Sequence, residues 1–229
     1  MKKMLLTGNE AIARGAYESG VTVATAYPGT PSTEILETIA KYKEIKAQWS
    51  PNEKVALEVG IGASIAGARV IVAMKHVGVN VAADPLFTLA YTGVKGGLVL
   101  VSADDPGMHS SQNEQDNRYY AFVNRIPMLE PTNSQEAKDF VGIALDLSER
   151  FDTPVLLRAT TRVCHSQSLV DTKERVEKQV PAYAKDPQKY VMLPAFARLR
   201  RLKVEERINA LKEYADQCEL NEIQWGIRK

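Results

Sequence analysis

The chain reads as an α/β protein built on a mostly parallel sheet with helices on both faces. Two observations carry that reading. Arg69–Lys75, Gly97–Ala103 and Pro154–Thr160 are short, continuous apolar runs of the kind that strands buried on both faces require. Between them lie segments with helical spacing of apolar residues, so strand and helix alternate along the chain. A third observation removes other classes. The 229 residues are 45% hydrophobic and 25% charged with a net charge of +1, as in an ordinary soluble protein. That balance gives no reason to expect nucleic acid or an acidic membrane as partner.

Taken in order, a first helix spans about Gly8 to Ser19, and Val21–Tyr27 is a strand. Pro31–Tyr42 is predicted helical, with Thr30 as N-cap and Pro31 at the first helical position. Glu44–Trp49 is a weak strand and Asn52–Ala68 a helix. The strong strand Arg69–Lys75 leads to a helix over Asn80–Tyr91, and Gly97–Ala103 to a helix over Gln115–Val123. Pro127–Glu130 is a short strand. Ser134–Arg150 is a helix capped by Ser134, and Pro154–Thr160 is the last strand.

Near Val170 the composition changes. Residues 171–201 are charged, hold three prolines and show little periodicity, which reads as a linker. Val204–Cys218 then forms an amphipathic helix with Ile208, Leu211 and Ala215 on one face. The expected organisation is a ligand-binding domain over residues 1–170, then a linker and helix over 171–229. The run from Asn221 to Lys229, with its Trp225-Gly-Ile, reads as the approach to a further domain, so the chain is expected to be part of a longer protein. No apolar stretch is long enough to span a membrane, and the first residues do not form a signal peptide. Cys164 and Cys218 lie outside any Cys-x-x-Cys pair, so no metal or iron–sulfur site is expected within the chain, and a reducing cytoplasm fits best. Cys164 beside His165 is not a nucleophile pair if both lie on a strand, where neighbours face opposite ways.

Candidate chemistry collects after strands, where parallel sheets bind ligands. Tyr27-Pro28-Gly29-Thr30-Pro31-Ser32 offers a turn and hydroxyls, or only a cap. Lys75-His76-Val77-Gly78-Val79-Asn80 clusters a cation, an imidazole and an amide, although a lone histidine is more often a scaffold residue. Asp104 to Arg118 is a long polar loop that includes His109, of unassigned role. It ends in a guanidinium suited to a carboxylate or to pairing with Glu114. Most telling is Glu58, a carboxylate inside the almost wholly small or apolar run from Lys54 to Ala68, where at helical spacing only Lys54 could pair with it. Enclosed there it would need a partner or a retained proton. The competing reading puts it in solvent on the first turn of a helix. No dinucleotide, P-loop or hydrolase-elbow motif is present.

Gly8-Asn-Glu-Ala-Ile-Ala-Arg-Gly-Ala16, Tyr27-Pro-Gly-Thr-Pro-Ser-Thr-Glu34, Glu53-Lys-Val-Ala-Leu-Glu-Val59, Met74 to Pro85 and Asp104 to Asp116 closely resemble the alpha subunit of the indolepyruvate:ferredoxin oxidoreductases. These enzymes are thiamine-diphosphate-dependent 2-oxoacid:ferredoxin oxidoreductases. The resemblance is dense over residues 1–170. It implies the pyrimidine-binding domain of a thiamine-diphosphate-binding fold, with Glu58 against the aminopyrimidine as the catalytic acid. Pro28, Gly29, Thr30 and His76 would touch the cofactor, and Thr30, Arg118, His76 and Asn80 the 2-oxoacid. It also implies coenzyme A, ferredoxin, a beta subunit and dimerisation in the full enzyme. The family's Gly-Asp-Gly magnesium motif and its cysteine-rich 4Fe-4S segments are absent from these 229 residues, so the piece alone is expected to be inactive. A related 2-oxoacid oxidoreductase, or a non-catalytic α/β ligand-binding module, are the alternatives.

Overall fold

A computed structural model describes residues 2–221, 223, 225 and 226. In chain order the elements are β1 (Lys2–Thr7), α1 (Gly8–Glu18), β2 (Val23–Ala26), α2 (Thr33–Ile39), β3 (Lys46–Trp49), α3 (Glu53–Ile65), β4 (Val70–Lys75), α4 (His76–Val81), α5 (Ala83–Thr92) and β5 (Leu98–Asp104). The chain continues through α6 (Arg118–Asn124), β6 (Met128–Leu129), α7 (Ser134–Phe151), β7 (Val155–Thr160), α8 (Thr161–His165), β8 (Gln167–Thr172), α9 (Pro187–Tyr190) and α10 (Pro194–Asp216). Six strands form one parallel sheet in the order β3-β2-β4-β5-β7-β6, and β1 pairs with β8 in a separate antiparallel ribbon. The α/β class and the parallel sheet agree with the sequence reading.

The continuous apolar runs become the central strands. Every residue of β5 is buried, as are the first five of β4. Two apolar cores follow, one on each face. Ile12, Ile35, Ile39, Val141 and Leu145 of α1, α2 and α7 cover one face. Leu57, Leu86, Leu89 and Ala121 of α3, α5 and α6 cover the other. Gly60 brings α3 close to the sheet: a Cβ there would come within 2.6 Å of Val72 Cγ2.

Local signals explain the helix starts. The Thr7 hydroxyl accepts from Glu10 N while the Glu10 carboxylate accepts from Thr7 N, a reciprocal cap for α1. Asn52 accepts from Val55 N at the start of α3. Two caps differ from expectation. The cap of α7 is Asn133, which accepts from Glu136 N, and not Ser134. Helix α2 starts at Thr33, and Thr30 lies in the turn before it. Asn80–Tyr91 is also not one helix but the end of α4 and most of α5, broken at Ala82.

The boundary drawn at residue 170 falls inside β8. Residues 173–186 then run under the amino ends of the strands. Val176 N donates to Glu18 O, and Pro181 packs on Gly67. The run read as the approach to a further domain lies largely outside the described residues. Among the described residues no helix is long and apolar enough to cross a membrane.

Candidate functional site

Strand order places a crevice between the carboxyl ends of β2 and β4. After β2 the chain crosses one face through α2; after β4 it crosses the other through α4 and α5. Such a reversal leaves an opening at the strand ends. The turn Tyr27–Ser32 fills one side of it. Ser32 N and Oγ both donate to Gly29 O at 2.8 Å, and Gly29 N donates to Thr33 Oγ1 at 2.9 Å. Below the turn, buried Asn9 donates to Pro31 O at 2.7 Å and to Glu34 Oε2 at 3.0 Å. Gly29 lies against Lys75 of β4, so the two strand ends meet there. Pro28 and Thr30 are exposed at the rim.

The polar loop after β5 is tied down by its own side chains. Asn117, fully buried, donates through Nδ2 to His76 O at 3.0 Å and Ser102 Oγ at 2.7 Å, and its N–H donates to Asp104 Oδ2. Burial opposes ionisation of Asp105. Hydrogen bonds from the Ser111 hydroxyl, Ser110 N–H, Thr161 hydroxyl and His109 N–H outweigh it and hold the carboxyl well below the usual carboxylate range. Lys75 Nζ reaches Ser110 O at 2.5 Å. Asn80 and Gln115 bond reciprocally, and Tyr120 OH donates to Asn80 Oδ1 at 2.6 Å.

His76 is placed differently from the sequence reading. Its ring is wholly buried, with Nε2 donating to Asn113 O at 3.3 Å and Nδ1 without a partner among the described residues. It offers no surface to a ligand in this arrangement and braces the loop instead. Arg118 is exposed and paired, not with Glu114, but with Glu130 at 3.1 Å and Asp116 at 3.6 Å. Glu130 is gripped in turn by Arg158, which is anchored on buried Asp104 at 2.7 Å.

Glu58 departs most from the enclosed-acid expectation. Helix α3 turns Ala56, Leu57, Gly60 and Ser64 inward, so Glu58, about 200° from Gly60 at 100° per residue, faces outward and is exposed. Its side is apolar all the same. Val59 is 38% exposed, and beside Gly62 there is open space where a Cβ would stand. Among the described residues no hydrogen bond or ion pair reaches Glu58; Lys54, one turn earlier, pairs with Asp84. Within the described residues the acid is not enclosed.

Sequence reasoning passed over Asn9, Asp104, Asn117 and Arg158, which hold the site from below. Only the polarity of Asp104 and Asn117 at a strand end hinted at them. Cys164 and His165 lie on a helix, not a strand, yet the thiol is no nucleophile: burial pushes it up to about 12.

A family model described as pyruvate flavodoxin/ferredoxin oxidoreductase, thiamine diphosphate-binding, matches residues 14–213. An indolepyruvate oxidoreductase subunit IorA from Archaeoglobus fulgidus is 47% identical over 98% of this chain and 38% of that protein. The subunit of the same name from Methanothermobacter marburgensis is 50% identical over 96% of this chain and 36% of that protein. A ketoisovalerate oxidoreductase subunit VorB from Methanothermobacter thermautotrophicus is 28% identical over 69% of the chain and 47% of that protein. The chain thus spans less than two fifths of the length of the two indolepyruvate relatives. In fold it is similar to a 2-oxoglutarate:ferredoxin oxidoreductase from Magnetococcus marinus, with a TM-score of 0.75 at 16% identity over 93% of this chain and 45% of that one. With its parallel sheet, its strand-end crevice and a family match over most of its length, the chain belongs to the thiamine-diphosphate-binding family of the pyruvate flavodoxin/ferredoxin oxidoreductases.

Proposed function

We propose that this chain supplies the aminopyrimidine-binding wall of a thiamine diphosphate site in an indolepyruvate-type 2-oxoacid:ferredoxin oxidoreductase. The observation that carries the reading is Glu58: a carboxylate with no hydrogen bond or ion pair among the described residues, on an exposed helix face with Val59, Ile61 and Gly62, where the cation one turn earlier, Lys54, pairs with Asp84. Covering that face would strand the carboxylate at a cost of several kcal/mol unless it shares a proton with whatever covers it. A ring nitrogen of an aminopyrimidine meets that need, and Gly62 leaves room for a flat ring. The residues present therefore fit the group. When bound, thiamine diphosphate supplies the carbon nucleophile for decarboxylation of a 2-oxoacid.

The chain's own residues do the rest. Glu58 holds a proton at the ring nitrogen, Pro28, Gly29 and Thr30 line the strand-end crevice, and Arg118 receives the 2-oxoacid carboxylate from Glu130. Asn80 bounds the substrate side through its bonds to Gln115 and Tyr120. His76 contributes by holding the loop. Within this reading residues 1–170 form the binding unit, and 171–229 lead toward further parts of the enzyme. Those parts carry the magnesium and 4Fe-4S groups. Coenzyme A, ferredoxin, a beta subunit and a dimeric assembly complete the cytoplasmic enzyme. The higher identity to indolepyruvate subunits than to ketoisovalerate subunits supports the arylpyruvate class.

Glu58→Gln in the complete enzyme tests it. Exposed on this chain, the change leaves the fold intact, and turnover is expected to fall at least ~100-fold. Near-normal turnover would remove Glu58 from the chemistry.

A further inference from the structure

One strand along from the crevice, past the carboxyl ends of β5 and β7, lies a second pocket of about 640 Å³. It holds His109, Arg162 and His165, the hydroxyls of Thr160, Thr161 and Ser166, and Pro106, with no carboxylate. Many other arginines, among them Arg14, Arg69, Arg118, Arg125 and Arg158, sit in ion pairs. Arg162 has none among the described residues, nor do the two imidazoles. Asp105, buried beside the loop, makes no ion pair with any of them: it is 2% exposed and its oxygens accept from Ser110 N, Ser111 Oγ and Thr161 Oγ1. Two of the chain's three histidines thus flank an unpaired arginine in a concave site.

We propose that this pocket binds a phosphate group, either free or as the monoester of a larger metabolite. The guanidinium fork suits two phosphate oxygens, each imidazole donates at least one N–H in either charge state, and Thr160 adds a hydroxyl, while those of Thr161 and Ser166 donate to Asp105 Oδ1 and Arg162 O. The volume exceeds what phosphate alone fills and leaves room for the body of a small metabolite. The assignment is independent of the role of Glu58.

Imidazole NMR of the full chain reads the site directly, because three histidines give three resolved signals. At constant pH and ionic strength, inorganic phosphate and adenosine monophosphate are titrated separately, with chloride as control. The expected result is saturable movement of the His109 and His165 signals while buried His76 stays still. Arg162→Ala weakens binding about tenfold and Arg162→Lys restores part of it. Tighter binding of the nucleotide assigns the site to phosphate esters, and equal affinities assign it to free phosphate. If neither anion shifts His109 and His165 beyond the chloride control, or if Arg162→Ala binds as the parent does, the assignment falls.

Discussion

The two ends of the central sheet are built from similar residues and used in opposite ways. At the amino end of the strands, charged groups close the molecule. Arg69, 5% exposed, binds Glu149, Asp146 and Ser19 O. Glu18 receives Arg14, Lys138 and Lys173 N, locking the strap over α1. Arg200 and Arg207 of α10 bond to Asp152 and to the last carbonyls of α5. At the carboxyl end the buried groups, Asn9, Asp104, Asn117 and Arg158, hold an outer layer that stays available: Thr30, Arg118 and Arg162. Sealing pairs most of its charges with buried partners, whereas a binding edge keeps a buried scaffold beneath exposed or exchangeable groups. The ion pairs of the first end act through stability and those of the second through position.

That contrast can be broken by mutation. The largest expected effect is at the closed end. Glu18→Ala leaves Lys138, 1% exposed, with only the half-exposed Asp139, and is expected to destabilise the chain by about 3 kcal/mol in denaturant titration. A loss under about 1 kcal/mol would mean the strap is not held there. Asn117→Ala at the open end is expected to cost about 2 kcal/mol. Its signature is faster hydrogen exchange confined to residues 105–116; exchange that rises evenly over the chain would contradict a positioning role. Arg118→Ala in the complete enzyme is expected to leave stability unchanged and raise KM for the 2-oxoacid about tenfold, with cofactor affinity unaltered. Equal loss of cofactor binding would move Arg118 out of the substrate site.

The last effect is read from its pH dependence, which is flat at neutral pH. The carboxyl of Asp105 is depressed in the folded state, so its stabilisation is present above the unfolded value of about 4 and is lost as pH falls toward the folded one. Acid titration of stability should therefore steepen below about pH 4, and Asp105→Asn should flatten it. An unchanged acid limb in that variant would show that the loop does not depend on this charge.

Much of this was legible in the residues. The all-apolar runs of β4 and β5 announced a buried parallel sheet, because only strands covered on both faces dispense with alternation. The turn at Tyr27–Ser32 and the polar loop after Asp104 were readable as strand-end segments from their place after apolar runs. By contrast β1 and β8 went unread. Leu5 and Leu169 are exposed on a two-stranded ribbon whose partners lie 160 or more residues apart, and no local pattern records such a pairing. His76 and Glu58 exchanged their expected surroundings for the same reason. Residue type and spacing defined the class of fold and which segments carry polar residues, because those follow from local propensity and periodicity. Only the packed structure decided that the imidazole is buried and the carboxylate exposed, because burial depends on which neighbour covers a face, and that neighbour comes from distant chain or another body.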